Sequence, residues 1–123
     1  MSNLERTPTQ ADRYVYAAEL RRVIDGDTVV LDIDLGCDMW LRKQHCRLYG
    51  INAPEPHSET KEAGHAATLR LRQLISGMRQ LLVRTHYDKR GSFERLLVEL
   101  WVDGININEQ LVRDGVAEVM EVR

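Results

Sequence analysis

Arg47-Leu48-Tyr49-Gly50-Ile51-Asn52-Ala53-Pro54-Glu55 is the stretch around which this chain is organised. An apolar strand runs here into a proline turn, and the stretch carries a guanidinium, an amide oxygen and a carboxylate. Successive strand side chains alternate sides, and proline ends a hydrogen-bonded ladder. Arg47 is therefore placed on a rigid element, with Asn52 and Glu55 projecting from its end. Groups pre-positioned by a scaffold suit cation-assisted chemistry on an anion. A strand that ends in a polar turn with an ordinary surface ion pair fits the same residues. The flanking sequence has to decide.

Upstream, Tyr14 to Ile24 is rich in β-formers, and Asp25-Gly26-Asp27 is a turn signal. Val29, Leu31, Ile33 and Leu35 then alternate with Val30, Asp32 and Asp34, the pattern of a half-buried strand. Gly36-Cys37-Asp38 turns the chain into a third strand, Met39 to Tyr49. Three strands on short turns make an antiparallel meander.

Downstream of Pro54 and Pro56, a polar loop from His57 to Glu62 precedes a helix over about Ala63 to Ser76. Ala67, Leu71, Leu74, Ile75 and Met78 form its apolar stripe, Arg70, Arg72 and Gln73 face away, and Gly77 stops it. Gln80 to Tyr87 and Arg95 to Val102 are the fourth and fifth strands, separated by the charged loop Asp88 to Glu94. Asn106 and Glu109 have capping-box spacing for a short second helix, which Gly115 ends. Five strands with a helix between the third and fourth, then a second helix, fit a small β-barrel of the five-stranded OB-fold type. That architecture commonly binds nucleic acid, although architecture alone is not a function.

The whole chain is 123 residues, of which 43% are hydrophobic and 29% charged. That composition belongs to a globular protein with one adequate core. Residues 1–13 read as a loose arm and 14–123 as one domain. No apolar run approaches the ~20 residues of a membrane-spanning helix, and the first residues lack the apolar centre of a signal peptide. A cytoplasmic location is expected for the chain as given, or a secreted one if a leader has been removed. Cys37 and Cys46 match no zinc spacing; a reduced pair is expected, with Cys46 a small core residue. His45, His57, His65 and His86 are scattered without ligand spacing. Trp40 and Trp101 are expected to serve barrel packing.

Net charge is −2, yet its distribution is uneven. Residues 1–38 carry 4 basic and 8 acidic side chains, residues 39–95 carry 11 and 5, and residues 96–123 carry 2 and 6. A basic middle between acidic ends favours a polyanionic partner.

Asp27 lies at the tip of the first hairpin, and a closed barrel would bring it beside the end of the third strand. A lone Asp-Gly-Asp fits a plain turn residue at Asp27; in the alternative, the Asp27 carboxylate, the Asn52 amide oxygen and the Ala53 carbonyl, completed by waters, form a hard-cation site of calcium type. Glu55, fixed by Pro54, suits a general base, and Arg47 and Arg95 at strand ends suit bidentate phosphate binding. Lys89, Arg90 and Phe93, in the loop before Arg95, are candidate substrate contacts, Phe93 as a stacking face.

These residues carry a family resemblance. Val23-Ile24-Asp25-Gly26-Asp27-Thr28, the stretch from Arg47 to Glu55, Gly64 to Ala67, and Asp103-Gly104 with Asn108 to Gly115 stand in the order found in staphylococcal-nuclease-like domains. The resemblance covers about residues 14 to 120. It implies an OB-type barrel that hydrolyses DNA and RNA phosphodiesters with calcium. By position, Asp27, Asn52 and the Ala53 carbonyl fall on the calcium ligands, and Glu55 on the general base. Arg47 and Arg95 fall on the phosphate-binding arginines, with Arg90 the competing choice for the second.

Three departures stand out. Asn52 replaces a carboxylate of the family, which removes a charge from the cation site. Phe93-Glu94 stands where the family has Tyr-Gly. The family also continues into a further helix beyond the point where this sequence stops. Two readings follow, a calcium-dependent nuclease, or a weakened nuclease-like domain that binds nucleic acid or protein. Another hard divalent ion in place of calcium is compatible with either.

Overall fold

The computed structural model describes residues 13–56, 59–76, 81–86 and 96–120. β1 (Val15–Asp25), β2 (Thr28–Gly36) and β3 (Met39–Leu48) form the expected meander. β5 (Leu81–His86) and β6 (Leu96–Val102) follow, and three two-residue strands add to them: β4 (Ile51–Asn52), β7 (Ile105–Asn106) and β8 (Glu118–Val119). The two helices are α1 (Lys61–Ile75), which starts two residues before the expected Ala63, and α2 (Ile107–Arg113).

The sheet closes on itself. β1 pairs with both β2 and β5, β5 pairs with β6, and β6 returns parallel to β3 through Cys46–Leu96, Arg47–Leu97 and Leu48–Val98. The five long strands thus make a closed barrel with two helices, an OB-fold. Closure removes the unpaired edges that would otherwise invite association.

Alternation fills the barrel. Val29, Leu31 and Ile33 of β2, Cys46 and Leu48 of β3, Val83 of β5, and Val98 and Leu100 of β6 are almost fully buried. Helix α1 lays Ala67, Leu71 and Ile75 against this core. Cys46 is buried, and Cys37 is exposed and free. Cys37 and Asp38 both have positive φ, 55° and 59°, the conformation of a two-residue turn whose twist matches its strands. Trp40 and Trp101 are half-buried and lie outside the core cluster, contrary to the packing role expected of them. Trp40 pairs across β2 with Asp34, on the outward side of the barrel.

Helix α2 begins and ends as its sequence dictates. Asn106 Oδ1 accepts from the Glu109 N–H at 3.1 Å. Gly115, at φ 77°, donates to Val112, and Val116 donates to Leu111, which closes the helix end. The first residue turn of α2 also presents Asn108 to the barrel. Its buried amide accepts from Leu100 N (3.1 Å) and donates to Tyr49 O (2.9 Å) and Val98 O (3.0 Å). A buried amide with its partners satisfied fixes geometry, and here it pins the Tyr49-Gly50 turn between β3 and β4. Met78 and Gly77, assigned to the end of α1, lie outside the described residues, as does the loop Asp88 to Glu94. Among the described residues no helix is long and apolar enough to cross a membrane.

Candidate active site

The β1–β2 turn and the β3–β4 connection meet because Thr28 pairs with Arg47 in the meander register. Leu48 N donates to Asp27 O at 2.8 Å, so the ladder runs to the hairpin tip. Gly26 lets the tip come closer still. A Cβ at this position would stand 2.6 Å from Ala67 Cβ on α1 and 2.8 Å from Ala53 Cβ. Gly64 performs the same service on the other side, since a Cβ there would collide with the backbone of Glu55 and Pro56. Two glycines therefore wedge the turn from Ala53 to Pro56 between the hairpin and α1.

Asp27 is the centre of the resulting cluster. It is buried, and each carboxylate oxygen has a partner: Oδ1 accepts from the Thr28 hydroxyl (3.0 Å), and Oδ2 accepts from Ala53 N (2.9 Å). Arg47 Nη2 is 3.4 Å from Asp27 Oδ2 and donates to Asn52 Oδ1 at 2.9 Å. Its other terminal nitrogen donates to Ile51 O (3.1 Å) and Leu48 O (3.4 Å). A guanidinium offers five donors in a fixed fork, and most of this one is already spent on orienting itself. Glu55 is exposed on the turn two residues beyond Ala53, and its backbone carbonyl accepts from the Thr60 hydroxyl.

Asp27, Arg47, Asn52 and Ala53, separated by up to 26 positions, thus share one spot, with Glu55 on the adjoining turn. Ala53 meets Asp27 through its N–H, while its carbonyl was the group expected to face a cation. Arg95, Arg90, Lys89 and Phe93 lie outside the described residues. The strand that follows them starts at Leu96, which pairs with Cys46, the neighbour of Arg47.

Sequence reading missed Asp25. It stands at the base of the same turn, where its Oδ1 accepts from Asp27 N at 3.1 Å. Burial first, then the neighbouring Asp27 carboxyl, push its pKa above the usual carboxylate range. The Asp-Gly-Asp spacing was the available signal. Among the described residues no group of three or more His, Cys, Asp or Glu side chains is placed to hold a metal ion. Asp25, Asp27 and Asn52 bring carboxylate and amide oxygens, the donor class of hard cations, to one place, where the Arg47 guanidinium contacts Asp27 and Asn52.

The remaining polar cluster near this end is separate. His86 stacks on Tyr49, with ring centres 3.7 Å apart, and its Nε2 lies 3.0 Å from Glu99 Oε1. Arg84 also reaches Glu99, at 3.3 Å. His86 is thus a partly buried side chain with a carboxylate partner.

A family model described as staphylococcal nuclease homologue matches residues 45–123, well over half of the chain. The chain belongs to the staphylococcal nuclease homologue family. Among its relatives, the thermonuclease of Staphylococcus intermedius is 31% identical over 103 residues, covering 80% of this chain and 56% of that protein. The thermonuclease of Staphylococcus hyicus is 30% identical, covering 78% of this chain and 54% of the relative. Endonuclease YncB of Bacillus subtilis (strain 168) is 32% identical, covering 84% and 47% respectively. The chain spans about half the length of these curated relatives.

Proposed function

We propose that the chain is a calcium-dependent nuclease that hydrolyses phosphodiester bonds of DNA, RNA or both. The observation that carries this reading is the convergence of Asp27, Arg47 and Asn52 beside the turn bearing Glu55. Its membership of a family with nuclease-named relatives supports it.

In this reading Glu55 takes a proton from water as general base while the water oxygen attacks phosphorus. The bond to the leaving oxygen breaks as the new one forms, and that oxygen takes up a proton from solvent. Arg47, held in place by its bonds to Ile51 and Asn52, neutralises the negative charge that builds on the phosphoryl oxygens. Arg95, which directly precedes the strand paired to β3, is the second arginine of the proposal. Lys89, Arg90 and Phe93 are proposed contacts to the substrate, Phe93 by stacking. Asp27, Asn52 and Ala53 would hold calcium, or another hard divalent ion, with Asp25 beside them. When bound, the ion supplies positive charge at the phosphate.

The test is cleavage of denatured DNA by Glu55→Gln and Arg47→Ala. Each is expected to lose roughly a hundredfold or more in rate, the scale of one positioned catalytic group. Both should keep the fold by circular dichroism. Undiminished cleavage by both variants rejects the assignment.

A second reading, a module that binds nucleic acid without cutting it, is favoured by one observation. The Arg47 guanidinium itself bridges Asp27 and Asn52, and Asn52 brings an amide where the family has a carboxylate. Thermal shift with a nucleotide bisphosphate separates the two, because a ligand of the folded state raises Tm by mass action. A shift that requires calcium supports the nuclease; a calcium-independent shift supports the module.

A further inference from the structure

The outward side of the meander continues from Arg47 into basic side chains that the candidate active site does not use. On β3, Arg47, His45 and Arg42 face out, while Cys46 and Leu48 fill the core between them. Two rungs from Thr28–Arg47, on the same face, Val30 pairs with Arg22 on one side and His45 on the other. In the next, the ladder shifts between Leu31 and Ile33, where β3 bulges at Arg42 and Lys43. Lys43 takes a positive φ of 52° to make that bulge.

Asp32 explains why the bulge is there. This carboxylate is only 3% exposed, and it accepts from Lys43 N (2.8 Å), Arg21 Nε (2.9 and 3.0 Å) and Arg42 Nη1 (3.2 Å). It therefore fixes two guanidinium groups side by side on a rigid sheet, while both arginines stay about half exposed, at 45% and 53%. Neither terminal nitrogen of Arg21, nor Nε or Nη2 of Arg42, is used on Asp32. Arg42 also lies 4.3 Å over the Trp40 ring, which holds its plane. Arg22 and Lys43, both exposed, flank the pair. The acids on this side are Glu19, Asp32 and Asp34, and the first two face each other across β1 and β2, while Asp25 and Asp27 stand at the Arg47 end. Away from that end, Arg21, Arg22, Arg42 and Lys43 outnumber Glu19, Asp32 and Asp34.

Arginines held by a buried carboxylate bind a phosphodiester without first losing rotamer freedom. The row has the right direction and length for a chain of phosphates. At about 3.3 Å per residue along a strand, Arg47 to Lys43 spans ~13 Å, enough for more than one phosphate of an extended single strand. We propose that the outer face of β1, β2 and β3 is a second binding surface, a track for the phosphate backbone of single-stranded nucleic acid. It starts at Arg47 and runs through Arg22 to the Asp32-held pair Arg21 and Arg42, with Lys43 beside them. This surface rests on the nucleic-acid reading above, and it predicts tighter binding of long strands than of short ones.

The experiment compares the full chain with the double variant R22E/K43E, which leaves the hydrogen-bond partners of Asp32 in place because Lys43 bonds it through the backbone. Fluorescence anisotropy is read with a labelled oligothymidylate of about 20 nucleotides and with a labelled dinucleotide, under chelator, across a salt series. The variant should bind the long strand about tenfold or more weakly, and its salt slope should fall by about 1.4, the loss of two contacts at roughly 0.7 each. Dinucleotide binding should stay within about twofold, and Tm should stay within a few degrees. Unchanged binding of the long strand overturns the track. So does equal weakening on the dinucleotide, which would place the effect at the candidate active site. Loss of the catalytic reading would instead appear as no cleavage by the parent chain, with the length-dependent binding intact.

Discussion

The backbone N–H of Ala53 donates to Asp27 Oδ2 across 2.9 Å, and this bond sews the tip of the first hairpin to the turn beyond β4. Arg47 completes the stitch, because Nη2 contacts both Asp27 and Asn52. The guanidinium sits where its charge offsets a buried carboxylate. An arginine in that position is preorganised, and its reach toward a phosphate depends on what else satisfies Asp27 and Asn52.

Asn52→Asp restores a carboxylate to the spot and gives Arg47 and a cation a second anionic partner. One more charge on a cation site at contact distance is worth on the order of a kcal/mol. Half-maximal cleavage of denatured DNA should move to roughly three- to tenfold lower calcium. An unmoved calcium midpoint in a titration of initial rate counts against Asn52 as a ligand.

Arg47→Lys keeps the charge and loses the fork. One ammonium cannot reach Ile51 O, Asn52 Oδ1 and Asp27 Oδ2 together in the arrangement the guanidinium makes. Cleavage should fall at least about tenfold while Tm drops only a few degrees. Full activity in the lysine variant would mean that charge alone suffices.

Gly26→Ala puts a methyl 2.6 Å from Ala67 Cβ and 2.8 Å from Ala53 Cβ, so the hairpin tip, the turn or α1 must shift. Overpacking of this kind costs about 1–3 kcal/mol, read as a loss in urea unfolding. Ala67→Gly in the same chain should recover part of it beyond additivity, even though glycine within a helix itself costs up to about 1 kcal/mol. Strict additivity would show that the contact with Ala67 is not the cause.

Asp32 sets an acid limit. The Lys43 N–H first, then Arg21 and Arg42, hold its carboxyl down at about 2, below its usual 3.8, despite burial. A pKa lower in the folded state means that the ionised form is the stabilising one. That contribution is fully present above about pH 4 and disappears as the pH falls toward 2. Asp32→Asn should lower Tm at neutral pH, with the gap to the parent closing between about pH 4 and pH 2. A gap that is constant across that window would show that Asp32 is not the group.

Much of the frame was legible in the residues. Val29, Leu31 and Ile33 announce an inward strand face, Asn106 with Glu109 a helix start, and Gly115 its end, because each is a local pattern that local sterics and hydrogen bonds enforce. The stretch from Arg47 to Glu55 likewise carried its own strand and turn, and the family motifs pointed to Asp27 as its partner.

Three things were decided only by tertiary structure. The role of Asp25 depends on burial and on the neighbouring carboxyl, and neither follows from a turn signal. The outward placement of Trp40 and the anchoring of Arg21 and Arg42 by Asp32 depend on where the β2–β3 register slips. A one-residue shift in a ladder changes which face a side chain occupies. The sequence by itself determined the elements, their order and the chemistry available at their ends. Closure of β3 on β6 and the close approach permitted by Gly26 and Gly64 decided which of those groups meet, because contacts between residues far apart in the chain follow from packing the whole barrel at once.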